Sequence, residues 1–384
     1  MTSTFFATRL RASVLAFLTA ALLLLSGLAA PASATPHLLV DANTGAVLSA
    51  EDAFDPWYPA SLTKLMTIYV TLEALRDGEI TMRSPVTITP RSLQEPPARM
   101  GFPAGSVITV ETALEILVVK SANDVAVALA QAVGGSEEAF VTRMNAAAFH
   151  LGMTATHFVN PNGLYAAGHV SSARDMAVLA LAILGQYPEM RPLFGLTAIA
   201  YRGAVIESGN DLLERFPGAD GMKTGYICSS GYNIVATATR NGRTLVAIVL
   251  GRVSERDRAE ATARLLDAGF ATPRGLVGDA SLFALVPDEA PAAAPADLRS
   301  RVCGPSTPQP EPLRSPLIAA GDTSSHLVPE FHVMDPVPIE LGGAEVAVPG
   351  LAPLTLTAGA AAGLLPLAGA AGGFTDPLAP GGQP

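Results

Sequence analysis

Ser61 and Lys64 stand three residues apart in PASLTKLMT, residues 59–67 of a 384-residue chain. On a helix this spacing puts both side chains on one face, a turn apart. A hydroxyl beside an amine that can lose its proton is an activated nucleophile, suited to acyl transfer through a serine ester. Lysine can be that base, whereas arginine is a permanent cation. The distinction has force in a chain with 21 arginines and only three lysines, at 64, 120 and 223. The pair alone has a plainer explanation, a capping serine and a solvated lysine.

Two further triplets fit the same chemistry. Ser121-Ala122-Asn123 falls in a break between helical stretches, and Lys223-Thr224-Gly225 opens a predicted strand. S-x-x-K, S-x-N and K-T-G in this chain order are the motif set of penicillin-recognising serine enzymes. Lys120 adjoins the second triplet, matches no motif position and reads as surface charge.

These residues need elements to hold them. HLLVDANTGAVLS, from His37, places two apolar stretches around an Asn-Thr-Gly turn and predicts a hairpin. ASLTKLMTIYVTLEALRDG is apolar nearly all round, which predicts a buried helix with Ser61 at its N-terminus and Gly78 as its cap. The helix N-terminus there favours developing negative charge. More helix follows to about residue 152. Late in the region come GMKTGYI, YNIVATATR, an Asn241-Gly242 turn and RTLVAIVLG, then a final helix from Glu255. Two early strands and three late ones predict an α/β (α+β) fold: a five-stranded antiparallel sheet, flanking helices and a helical insert.

Over residues 38–270 the chain resembles the D-alanyl-D-alanine carboxypeptidases among the low-molecular-mass penicillin-binding proteins. The likeness extends from the triplets to SANDVAVALA, FVTRMNAAAFHLGMTATHFVNPNGL and DGMKTGYICSSGYNIVATA. The resemblance implies a β-lactamase-like transpeptidase fold and removal of the terminal D-alanine from peptidoglycan muropeptides, without a metal or other cofactor. β-Lactams would be covalent inhibitors. Ser61 would be the nucleophile and Lys64 its base, its pKa lowered by burial and by Lys223. Ser121 would relay a proton to the leaving amine, and Asn123 would bind the substrate carbonyl or hold Lys64. Lys223 and Thr224 would meet the terminal carboxylate, Gly225 would make room along the strand edge, and the N–H groups of Ser61 and Tyr226 would form an oxyanion hole. Arg256 is the preferred arginine for the carboxylate, with Arg252 and Arg258 close behind. NPNGL at 160–164 reads as an architectural turn and His169 as a polar loop residue. A class A β-lactamase is disfavoured because the triplet is S-A-N and no E-x-x-x-N follows. A cross-link endopeptidase, and an inactive wall-binding or morphology protein, remain as alternatives.

The rest of the chain sets the context. Arg9 and Arg11 precede an apolar run ending in PASA, the layout of a signal peptide at residues 1–34. Export to the periplasm or envelope of a bacterium follows, with an uncleaved anchor as the alternative. Removing the leader takes the formal charge from −10 to −12, which argues against nucleic acid and anionic membrane as partners. Cys228 and Cys303 could pair in an oxidising compartment, with small packed thiols as the favoured reading. The catalytic domain is expected at 35–275. Residues 276–384 hold 17 of the 31 prolines and read as a mostly disordered tail, with short strands in HVMDPVPIEL and GAEVAVPGLAPLTLT and membrane contact left open.

Overall fold

In the computed structural model the described residues are 35–274, 281–287, 289–305, 325–329, 334–346 and 354–357. The expected leader lies outside them. Period-two alternation builds a sheet buried on both faces. In the strand Arg243–Arg252, Val246, Ile248 and Leu250 belong to one hydrophobic cluster, and Leu245, Ala247 and Val249 to the other. It shares a sheet with β1 (His37–Asp41), β2 (Val47–Glu51), β3 (Ala219–Ile227) and β4 (Gly231–Arg240), which makes it β5. The order is β2-β1-β5-β4-β3 and every pairing is antiparallel, so the predicted five-stranded sheet is present with β3 at an edge.

The larger cluster is filled by helices inserted between β2 and β3. α1 (Thr63–Arg76) buries 11 of its 14 residues, so it runs through the interior rather than along a face. Its hydroxyls are accounted for inside: Thr67 donates to Pro161 O at 2.6 Å and Thr71 to Thr67 O at 2.8 Å. The helix ends at Asp77, and Gly78 takes φ +74° one position later. α2 (Val110–Val119), α3 (Asn123–Gly134), α4 (Glu137–His150) and α5 (Ala173–Gln186) complete the insert, capped by Thr109 at α2, Ser136 at α4 and Ser172 at α5. On the other face Ala259, Ala263 and Leu266 of α6 (Glu255–Ala271) pack onto the sheet, a spacing of four and three that makes one helical stripe.

The favoured reading of the two cysteines fails: Cys228 and Cys303 are a disulfide, S–S 2.04 Å and Cα–Cα 5.6 Å, not two thiols. Several described residues of the expected tail anchor on the catalytic domain. Leu282 is fully buried and donates its N–H to Gly45 O, Ala292 N donates to Asp55 Oδ1, and Leu298 is buried with its N–H on Ser229 O. Further on, Leu327 joins the smaller cluster and Val328 N donates to Arg215 O. The short strands expected there are present at Val337–Pro338, Gly342–Val346 and Leu354–Thr357. No helix among the described residues is long and apolar enough to cross a membrane.

Candidate active site

Ser61 is placed by the segment before it and the strand beside it. Trp57 Nε1 donates to Ser230 O at 3.1 Å and Asn233 Nδ2 to Tyr58 O at 3.0 Å, tying residues 57–58 to β4 and the turn before it. Ala60 then takes φ +50°, and one turn of 3-10 helix carries Ser61 into α1. A non-glycine residue held there costs about 1–3 kcal/mol, a strain that clusters at functional sites. β3 comes close because residue 225 is glycine: a Cβ would stand 2.9 Å from Pro59 O and 3.1 Å from Ser61 N.

Lys64 is fully buried. Its Nζ lies 3.0 Å from Ser61 Oγ, 2.9 Å from Asn123 Oδ1 and 2.6 Å from Asn162 O. The last two oxygens can only accept. A neutral amine that donates to both keeps one lone pair, and its remaining neighbour is the Ser61 hydroxyl. Burial drives the Lys64 pKa well below that of a free lysine and the charge of Lys223 lowers it further, while Glu95 and Asp124 oppose the shift.

Asn123 engages both ends of its amide, since Nδ2 donates to Pro96 O at 3.0 Å. Of the two roles open to it, it holds Lys64. Ser121 sits in the break between α2 and α3 at φ +60°, and its buried Oγ has no hydrogen-bond partner. Buried hydroxyls are nearly always paired, so an unpaired one on a cleft is available to a ligand.

Asn162 was not among the expected site residues. NPNGL is the turn expected, yet its Asn162 carbonyl is a partner of Lys64, and Asn162 Nδ2 donates to Glu95 Oε2 at 2.7 Å. Glu95 is buried and paired with Arg91. Nothing local in the sequence marks it. His169 is buried rather than a polar loop residue. Val159 N donates to its Nδ1 at 3.0 Å, which leaves the proton on Nε2 for Thr63 Oγ1 at 2.8 Å. Burial, then His157 and Lys64, lower its pKa to about 3, so it stays neutral.

Two buried cations stand at the other end. Lys223 donates to Thr224 O at 3.0 Å, and its pKa is lowered to about 7 by burial and then by Arg258. The arginine bordering the cleft is Arg258, not Arg256. It donates to Gly209 O at 2.8 Å and lies 3.3 Å from Asp211 Oδ2, while its buried Nε has no partner. Two positions on a helix are about 200° apart, so residues 256 and 258 face opposite ways. Arg258 adjoins the buried stripe that starts at Ala259 and is itself buried, whereas Arg252 is paired with Asp257. The cleft measures about 510 Å³ and is bordered by Ser61, Ser121, Asn123, Thr224, Tyr226 and Arg258.

The sequence profile described as D-alanyl-D-alanine carboxypeptidase matches residues 27–254, more than half of the chain. The carboxypeptidase DacF of Bacillus subtilis is 33% identical over 238 residues, 61% of this chain and 61% of its own length. DacC of Escherichia coli is 35% identical over 240 residues, 61% of this chain and 60% of its own length. The match thus spans about three fifths of these relatives. Among solved structures, penicillin-binding protein 5 of Haemophilus influenzae superposes with TM-score 0.59 at 33% identity, covering 62% of this chain and 71% of that one. Penicillin-binding protein D2 of Listeria monocytogenes, in its cefotaxime-bound form, gives 0.57 at 30% identity, covering 62% and 97%. An amine buried against a serine on this fold agrees with that match, and the chain belongs to the D-alanyl-D-alanine carboxypeptidase family.

Proposed function

We propose that the protein is a serine-type D-Ala-D-Ala carboxypeptidase acting on peptidoglycan stem peptides, exported to the bacterial envelope. The observation that carries this is the environment of Lys64: fully buried, on two obligate acceptors, 3.0 Å from Ser61 Oγ. In the reaction Ser61 Oγ bonds to the carbonyl carbon of the penultimate D-alanine as its proton passes to Lys64 Nζ. The oxyanion faces the N–H groups of Ser61 and Tyr226. Collapse breaks the peptide bond, and the leaving amine takes a proton from Lys64 through the Ser121 hydroxyl. Water then cleaves the Ser61 ester, with Lys64 again as base. Lys223, Thr224 and Arg258 hold the terminal carboxylate, two buried cations with Asp211 paired to Arg258 and Glu255 at the cleft border.

A β-lactam would follow the first half of this path. Its carbonyl acylates Ser61, but the opened ring keeps the leaving amine tethered and the ester persists. The test is mass spectrometry of a pentapeptide ending in D-Ala-D-Ala, incubated with residues 35–384 and with Ser61→Ala. Loss of one D-alanine with the wild type alone is the expected result. A folded wild type that leaves the pentapeptide intact refutes the reading.

A further inference from the structure

Asp124 follows the S-x-N triplet directly, in the first turn of α3, and is fully buried. A carboxylate taken out of water needs donors, and this one has three, all of them backbone N–H groups. Oδ1 accepts from Met100 N at 3.1 Å and from Val125 N at 2.9 Å, and Oδ2 accepts from Gly101 N at 2.8 Å. Two of the three donors therefore belong to a distant segment. Asn123 completes the attachment, donating its N–H to Ala98 O at 2.7 Å and its Nδ2 to Pro96 O at 3.0 Å. Two adjacent residues thus hold residues 96–101, which form no helix or strand of their own.

The held segment is a wall of the cleft. Pro97 and Ala98 border it together with Ser121 and Asn123. The backbone of Ser121 is fixed, with its N–H on Ile116 O at 3.0 Å and φ at +60°, but its buried Oγ has no partner inside the protein. The direction of that hydroxyl is then set by what packs around it rather than by a hydrogen bond. The wall across from it is the part of the cleft that Asp124 keeps in place.

We propose that Asp124 is a positioning residue for departure of the leaving group: by holding Met100 and Gly101 it keeps Pro97 and Ala98 against the cleft, and so keeps the Ser121 hydroxyl between Lys64 and the departing amine. This rests on the carboxypeptidase reading. Asp124→Asn probes it with little change of shape. An amide has one acceptor oxygen and an NH2 group, so one of the three N–H groups would meet a donor instead. Oδ1 serves two of them, which leaves Gly101 to lose its partner.

The test compares a peptide ending in D-Ala-D-Ala with a depsipeptide ending in D-Ala-D-lactate as substrates of residues 35–384. Both form the same Ser61 ester, but an amine departs only with a proton whereas an alcohol needs less help, so the peptide-to-ester ratio of kcat/KM reads proton delivery. Active enzyme is counted by penicillin acylation, and each variant is assayed at its own pH optimum. Unfolded protein and the lost charge then drop out of the comparison. Asp124→Asn should lower the ratio by about fivefold or more, in the same direction as Ser121→Ala. Pro97→Gly loosens the exposed wall without touching Asp124 and should lower it by about twofold or more. An unchanged ratio in Asp124→Asn, or in Pro97→Gly where Asp124→Asn yields no penicillin-reactive protein, reduces Asp124 to packing and leaves the carboxypeptidase standing. A wild type that cleaves neither substrate overturns both.

Discussion

In the proposed reaction Lys64 works as a base only while neutral and Lys223 attracts a carboxylate only while charged, so that reaction needs opposite protonation states of the two buried lysines. The kcat/KM profile should rise with pH through the lowered pKa of Lys64 and fall as pH passes about 7, where Lys223 loses its proton. A profile still rising above pH 9 would contradict the assignment. Stability carries the mark of the same amine. The unfolded chain binds the Lys223 proton up to about 10.5 and the folded one only to about 7, so stability rises with pH across that window. Lys223→Met removes a penalty that is fully present below about 7. It should raise Tm at neutral pH, by on the order of 2 kcal/mol of stability, while abolishing activity. Glu95 acts on Lys64 by charge as well as through Asn162. Glu95→Gln keeps an acceptor for Asn162 Nδ2 but loses the negative charge that raises the Lys64 pKa, so the acid limb should move to lower pH. A fall in kcat with no shift of that limb would reduce Glu95 to scaffolding. The motif lysines were legible in the sequence because arginine had replaced lysine nearly everywhere else. Glu95 was not, because its partner is 67 positions away and no local pattern joins them.

At the level of elements, the sheet was readable because its strands are short apolar runs bounded by turn residues and Asn241-Gly242 fixes a hairpin, and α1 because its apolar residues run all round. Tertiary pairing was not readable. The two cysteines are 75 residues apart across a segment whose composition says tail, and Arg258 differs from Arg256 only in helical phase, which is set by Ser254 capping α6. The phase was recoverable: counting from a Ser254 cap puts Ala259, Ala263 and Leu266 on the sheet, with Arg258 beside them. The disulfide closes a long loop and should contribute about 2–4 kcal/mol, chiefly by restricting the unfolded chain. Thermal unfolding with and without dithiothreitol should therefore differ by several degrees in the wild type and not at all in Cys228→Ser/Cys303→Ser. Equal melting of the wild type in both conditions would show that the bridge constrains little.

For the whole molecule, the question is where the enzyme ends. The family match stops at residue 254, but the chain beyond it returns to the catalytic body several times, and the returns differ in kind. Residues 281–305 bury Leu282 and Leu298, donate to Gly45 O and Ser229 O, and carry the disulfide to the rim of the cleft. Residues 325–329 and 334–346 attach on other surfaces, through Val328 N to Arg215 O, Ile339 N to Ala200 O and Glu345 N to Arg83 O, with Leu327 and Ile339 buried and Arg83 and Glu345 paired at 2.7 Å. Exposed pairs of this sort are worth little, typically 0–1 kcal/mol. The buried side chains weigh more, because a fully buried leucine contributes about 1.5–3 kcal/mol. Truncation after residue 305 should keep penicillin acylation of Ser61 within about threefold of the full chain, because none of the described residues lost lines the cleft, and should lower Tm through the lost burial of Leu327 and Ile339. Truncation after 275 removes Leu282 and Leu298, leaves Cys228 without a partner and opens the end of the cleft. It should cost several kcal/mol. Acylation rate and Tm measured on both truncations separate the two segments. Equal behaviour of the two in both measurements would place the boundary of the enzyme at residue 275 after all.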